Sequence, residues 1–97
     1  MKETYIAGLK DAIRNMHGCE ADHLATFPVT ERFRGAVVWT GEVELFQLIG
    51  HPNASRCYAW SHREGDRDQH QRFVAVLEIP PVDSPETAVR AAIASQR

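Results

Sequence analysis

A change of period constrains this chain more than any other feature. Tyr5, Ile6, Leu9, Ile13 and Met16 recur every three or four positions, whereas from His23 onward the apolar residues recur at every second one. The first spacing lines one side of a helix and the second one side of a strand. The periodicity therefore predicts a helix from Lys2 to His17. Gly18 stands where the helix should stop, because glycine enters the left-handed region without steric cost.

From His23 to Phe33 the alternation puts Ala25, Phe27, Val29 and Phe33 on one face. Pro28 cannot donate a ladder hydrogen bond, so this strand is expected at an edge or with a bulge. Arg34-Gly35 reads as a tight turn. A second strand, Ala36 to Leu48, sets Val37, Trp39, Val43 and Leu45 against Thr40, Glu42 and Glu44, with Gly41 suggesting a bend or bulge. Phe46 and Leu48 break that alternation. The turn formers of Gly50 to Ser55 predict a loop. Arg56 to His62 is a third strand, with Cys57, Ala59 and Ser61 facing one way and Tyr58, Trp60 and His62 the other. The polar run Arg63 to Gln71 reads as a solvated hairpin loop. Arg72 to Ile79 is a fourth strand, apolar on both faces in the manner of a central one. Pro80-Pro81 ends it. Ser84-Pro85-Glu86 then supplies an N-cap, an N1 proline and a first-turn acid for a last helix, Pro85 to Ser95, that carries Ala88, Val89, Ala92 and Ile93.

The expected fold is thus α+β: a two-layer sandwich in the order α-β-β-β-β-α, an antiparallel four-stranded sheet with two helices on one face. Residues 1–97 read as one domain, without repeat, linker or low-complexity tract. In such a sandwich Tyr58, Trp60, Val74 and Val76 lie on the uncovered face, and an open apolar patch of that kind marks a homodimer or protein-partner surface.

Composition removes several classes of function. Eleven Lys+Arg against thirteen Asp+Glu give a net charge of −2, which supplies no field for phosphate backbones or anionic membranes. No apolar run approaches the roughly 20 residues of a bilayer span. The segment Met1 to Ile6 is charged and periodic, and reads as structure rather than a secretory signal. Two cysteines, Cys19 and Cys57, are too few for a disulfide framework, so reduced thiols and a cytoplasmic location are expected.

Candidate chemistry is sparse. His17, Cys19 and His23 lie within seven residues, and Cys57 and His62 could complete a zinc shell. The spacing H-x-C-x3-H matches no standard knuckle, however, and residues 57 and 62 point to opposite faces of a strand. Cys19, His23 and Cys57 stay as weak metal candidates, and the expectation is no metal and no cofactor. Cys19 follows a helix C-terminus, whose dipole raises a thiol pKa, so it makes a poor nucleophile. Glu42 and Glu44 share a face and could share a proton or an ion, but they read as the solvated side of their strand.

The element order is loosely similar to that of double-stranded RNA-binding domains, whose last helix opens on basic residues; here Val82-Asp83-Ser84-Pro85-Glu86 is acidic. Tyr58 and Trp60 could stack single-stranded bases, yet the arginines of segment 63–72 are offset by Glu64, Asp66 and Asp68, so nucleic acid is not the expected partner. A small-molecule site would be sought at His51, Tyr58, Trp60 and His62, where unusual residue types are densest.

The stretches HGCEADH, GEVELF, GHPNASRCYAWSH and FVAVLEIPPVDSPETAVRAAI resemble a group of small bacterial proteins of uncharacterised function. The resemblance covers most of the chain past residue 17. It implies a stand-alone bacterial domain and brings no activity, cofactor or catalytic residue. The function expected from these residues is that of a small cytoplasmic interaction domain rather than an enzyme, self-associating or partner-binding through the sheet face of Tyr58 and Trp60. The alternatives are a small-molecule- or metal-binding enzyme-like domain at segment 51–62, and single-stranded RNA binding by that same face.

Overall fold

The computed structural model describes residues 2–63 and 71–95, with the side chains of 2–61 and 72–95. Helix α1 spans Lys2–His17, strands β1 to β4 span Glu20–Phe33, Ala36–Ile49, Arg56–Arg63 and Gln71–Leu77, and helix α2 spans Pro85–Ser95. The order α-β-β-β-β-α and the antiparallel sheet agree with the sequence expectation, and the strands lie side by side as β1-β2-β3-β4. The hairpin loop expected between β3 and β4 lies, apart from its strand ends, outside the described residues.

Local chemistry accounts for the ends of the elements. Gly18 and Gly35 sit at φ 69° and 81°, where a Cβ would be strained, so the first ends α1 and the second, with Arg34 at φ 55°, turns β1 into β2. At the start of α2, Ser84 Oγ accepts the Thr87 N–H at 3.1 Å while Thr87 Oγ1 accepts the Ser84 N–H at 2.9 Å. This reciprocal pair is a capping box, with threonine in the place more often held by Glu or Gln.

The helices do not share a face. Leu9 and Ile13 of α1 pack with Phe46, Leu48, Cys57 and Ala59. Ala88, Val89 and Ala92 of α2 pack with Val43, Leu45, Tyr58 and Trp60. Because neighbours along a strand point to opposite sides, these two sets are the two faces of the same strands. The molecule therefore has three layers, α1, sheet and α2, where two were expected. The reason is area: a sheet apolar on both sides needs a cover on both, and two amphipathic helices supply one each.

This arrangement explains what the alternation of β2 left open. Val43, Glu44, Leu45 and Phe46 are all buried, so Phe46 and Leu48 keep the alternation and mark where α1 begins to cover the second face. The irregularities of the β1–β2 ladder lie elsewhere than at Gly41, which pairs in register with Val29. The register slips between His23 and Ala25 and again between Glu31 and Arg32, which makes Leu24 and Val38 the bulged residues, both about half exposed. A Cβ on Gly41 would meet the Trp39 ring at 3.0 Å, so the glycine makes room for an indole, which stacks edge-on to Trp60 with centroids 5.7 Å apart. Pro28 lies on the edge strand β1, as its missing N–H requires.

Candidate functional site

Tyr58 and Trp60 are 3% and 2% exposed, in the core beneath α2. The expected open aromatic face is thus corrected, for the same reason of area, and the alternative of single-stranded RNA stacking on it loses its exposed rings. Tyr58 donates its hydroxyl proton to Glu78 at 2.5 Å; burial first, and the neighbouring carboxylate second, push its pKa above the ordinary tyrosine value.

His51 belongs to the other side of the molecule. Its Nδ1 accepts the N–H groups of Asn53 and Ala54 at 3.0 and 3.1 Å, closing the loop after β2. Its ring stands edge-on to His17 at 6.2 Å. His51 and the pair Tyr58 and Trp60 therefore do not converge on one pocket. His62 falls within β3, but its side chain lies outside the described residues.

The weak metal candidates also divide. Cys19 and Cys57 are buried free thiols in the cluster under α1. Burial, with Cys19 close by, pushes the Cys57 thiol up to about 12, which leaves no thiolate for nucleophilic work. His23 instead packs its ring against Phe46 and bonds to Glu44. Among the described residues no group of three or more His, Cys, Asp or Glu is arranged to hold a metal ion.

Glu44 is the polar group expected in water and found buried. Its side chain is 0% exposed, although its strand neighbour Glu42 remains open at 65%. Thr26 Oγ1 lies 2.5 Å from its carboxylate, His23 Nε2 2.7 Å and Lys2 Nζ 3.1 Å. Burial raises the carboxyl pKa, but the hydrogen bonds from Thr26, Lys2 and His23 outweigh it and hold the group below its ordinary value. The signal lay in its setting: Val43, Leu45 and Phe46 surround a lone charge, which marks a paired buried carboxylate as readily as a solvated one. Chemically the cluster anchors the first turn of α1 to β1 and β2, since every donor points at the one carboxylate.

Among the described residues, the feature that is not closed off is the edge of β4. Expected as a central strand, β4 is terminal in the sheet, and it is apolar on both sides because both helices cover it. The Glu78 N–H reaches back to Arg56 O at 2.9 Å, while Ala75 O is approached by His17 Nε2 at 3.1 Å from outside the sheet. In an antiparallel ladder the peptide groups alternate sides, so Phe73, Ala75 and Leu77 turn theirs outward. Beside them, between the end of α1 and α2, runs a cleft of about 850 Å³ lined by Met16, Phe73, Ala75, Val76, Ala91 and Ser95. Met16, expected in the helix core stripe, stands 50% exposed at its rim. No helix of the described residues is long and apolar enough to cross a membrane. No family model matches the sequence, and no curated protein or solved structure matches it.

Proposed function

We propose that this chain is a small cytoplasmic interaction domain, and that it meets its partner along the open edge of β4 rather than on a sheet face. One observation carries this reading: both faces of the sheet are covered by helices, and the outward peptide groups of Phe73 and Ala75 lie along an open cleft. An edge of this kind accepts an added strand, with main-chain hydrogen bonds for affinity and the flanking cleft for side chains. The other edge is poorly suited, because β1 carries Pro28 and the bulge at Leu24. The two buried free thiols suit a reducing compartment.

An array of nine-residue peptides with alternating apolar positions, probed with wild type and with Ala75→Pro, tests the reading. The outward N–H of Ala75 is not needed by β3, so proline there spares the fold and removes a donor only from an added strand. Retention of wild type on a subset of peptides, lost in Ala75→Pro, is the expected result. Equal retention of the two proteins, or none of either together with unprotected Phe73 and Ala75 amides in hydrogen exchange at every concentration, overturns it.

A further inference from the structure

Resting on that reading, we infer that the strand added to β4 is the β4 of a second copy, paired antiparallel about a two-fold axis at Ala75. Three observations converge on this partner. The first is that, among the described residues, only one edge is receptive. If β4 paired with β1 of the next molecule, the contact would be head-to-tail and would grow into an open array, whereas β4 on β4 closes after two copies. Pro28 and the Leu24 bulge on β1 exclude the first arrangement.

The second is self-complementarity. Written against itself, Arg72-Phe73-Val74-Ala75-Val76-Leu77-Glu78 sets Arg72 opposite Glu78 of the second copy, Phe73 opposite Leu77, Val74 opposite Val76 and Ala75 opposite itself. Arg72, Val74, Val76 and Glu78 share the α2 side of the sheet, as the pairing of Val76 with Tyr58 and the Tyr58–Glu78 hydrogen bond require. Opposite charges thus face one another at both ends of an apolar centre. Moving the axis by one residue, to Val74 or Val76, leaves Arg72 or Glu78 opposite a valine.

The third is hydrogen-bond phase. A two-fold axis at Ala75 makes Ala75 opposite Ala75 a hydrogen-bonded pair, and the peptide group of Ala75 points outward as such a pair needs. Phe73 opposite Leu77 follows twice, the Leu77 carbonyl, which already accepts the Ile79 N–H at 2.9 Å, using its second lone pair, for about six main-chain bonds in all. His17 already serves the Ala75 carbonyl from outside, and a carbonyl oxygen has a second lone pair for the incoming N–H. The cleft along β4 gives the second copy's strand room between α1 and α2.

Light scattering behind a sizing column decides the matter, on wild type, Ala75→Pro, Arg72→Glu and the double variant Arg72→Glu/Glu78→Arg, each checked for native near-ultraviolet circular dichroism. Wild type is expected at about 22 kDa, twice the 10.9 kDa of the chain. Ala75→Pro should run as a monomer. Arg72→Glu should weaken the dimer about tenfold, since it puts like charges opposite at two places, and the double variant should recover most of that loss. A monomeric wild type, or a dimer indifferent to Ala75→Pro, overturns self-pairing. A double variant no tighter than Arg72→Glu alone overturns this register. A monomer whose β4 edge still binds peptides of the array would show that self-pairing fails while the edge reading stands.

Discussion

Glu44 is held ionised out of water by groups from three places in the chain: Lys2 in α1, and His23 and Thr26 in β1. Glu44→Gln keeps the shape and removes the charge that the three donors address. It should lower stability in urea unfolding at neutral pH by about 1.5–3 kcal/mol, the usual range for hydrogen bonds to a charged group. The pH dependence follows from the direction of the pKa, which folding lowers from 4.5. The stabilisation is fully present above the unfolded value and is lost as pH falls through the lower folded value. The difference between wild type and Glu44→Gln should therefore shrink as pH drops below about 4.5. A difference constant from pH 7 to pH 3 would show that the carboxylate is not the ionised member of the cluster. Alternation in β2 put Glu44 on the right face, but whether that face is wet depends on where α1 lands, which strand period does not encode.

Elements were legible to the degree that their signals are local. Helix α1 and helix α2 run over the residues their spacing and caps predict, and the strands differ from expectation by a few residues at their ends. Ser84→Ala tests the local part directly. It removes the oxygen that caps the Thr87 N–H, and should cost about 1 kcal/mol by thermal or urea unfolding while leaving the core of α2 intact. No change in stability would mean that Thr87 and Asp83, which also bond there, hold the end of the helix unaided. What the elements do to one another was less legible. In β3, Cys57, Tyr58, Ala59 and Trp60 are each below 4% exposed, a pattern that demands cover on both sides. The residues show that demand plainly enough, yet which helix meets it depends on pairings far apart in the chain. The terminal place of β4 was obscured for the same reason: apolar residues on both faces report burial of the faces and say nothing of the edge.

At the scale of the whole molecule, the sheet divides the core into two clusters that carry different reporters. Both cysteines lie in the cluster under α1, and both tryptophans lie on the α2 side, Trp60 buried and Trp39 packed against it. Such a division allows two modes of unfolding, one layer at a time or both together. The strands decide between them, because β2 and β3 place alternate side chains in the two clusters, Phe46 beside Leu45 and Cys57 beside Tyr58. Removing α1 would wet Phe46, Cys57 and Ala59 on strands that still support α2, and removing α2 would do the converse. Neither half keeps a covered sheet, and a small sheet with one wet apolar face is marginal in water. Unfolding followed by tryptophan fluorescence and by labelling of the two thiols with a disulfide reagent should therefore give coincident midpoints in urea. The buried thiols should label in the native state only at the rate of opening, since both are shut away from the reagent and burial pushes the Cys57 thiol up to about 12. A fluorescence transition well below the thiol transition would mean that α2 leaves first and that the α1 layer stands without it. That result would reach the proposed edge too, because β4 takes side-chain cover from both helices and would lose half of it before the domain unfolds.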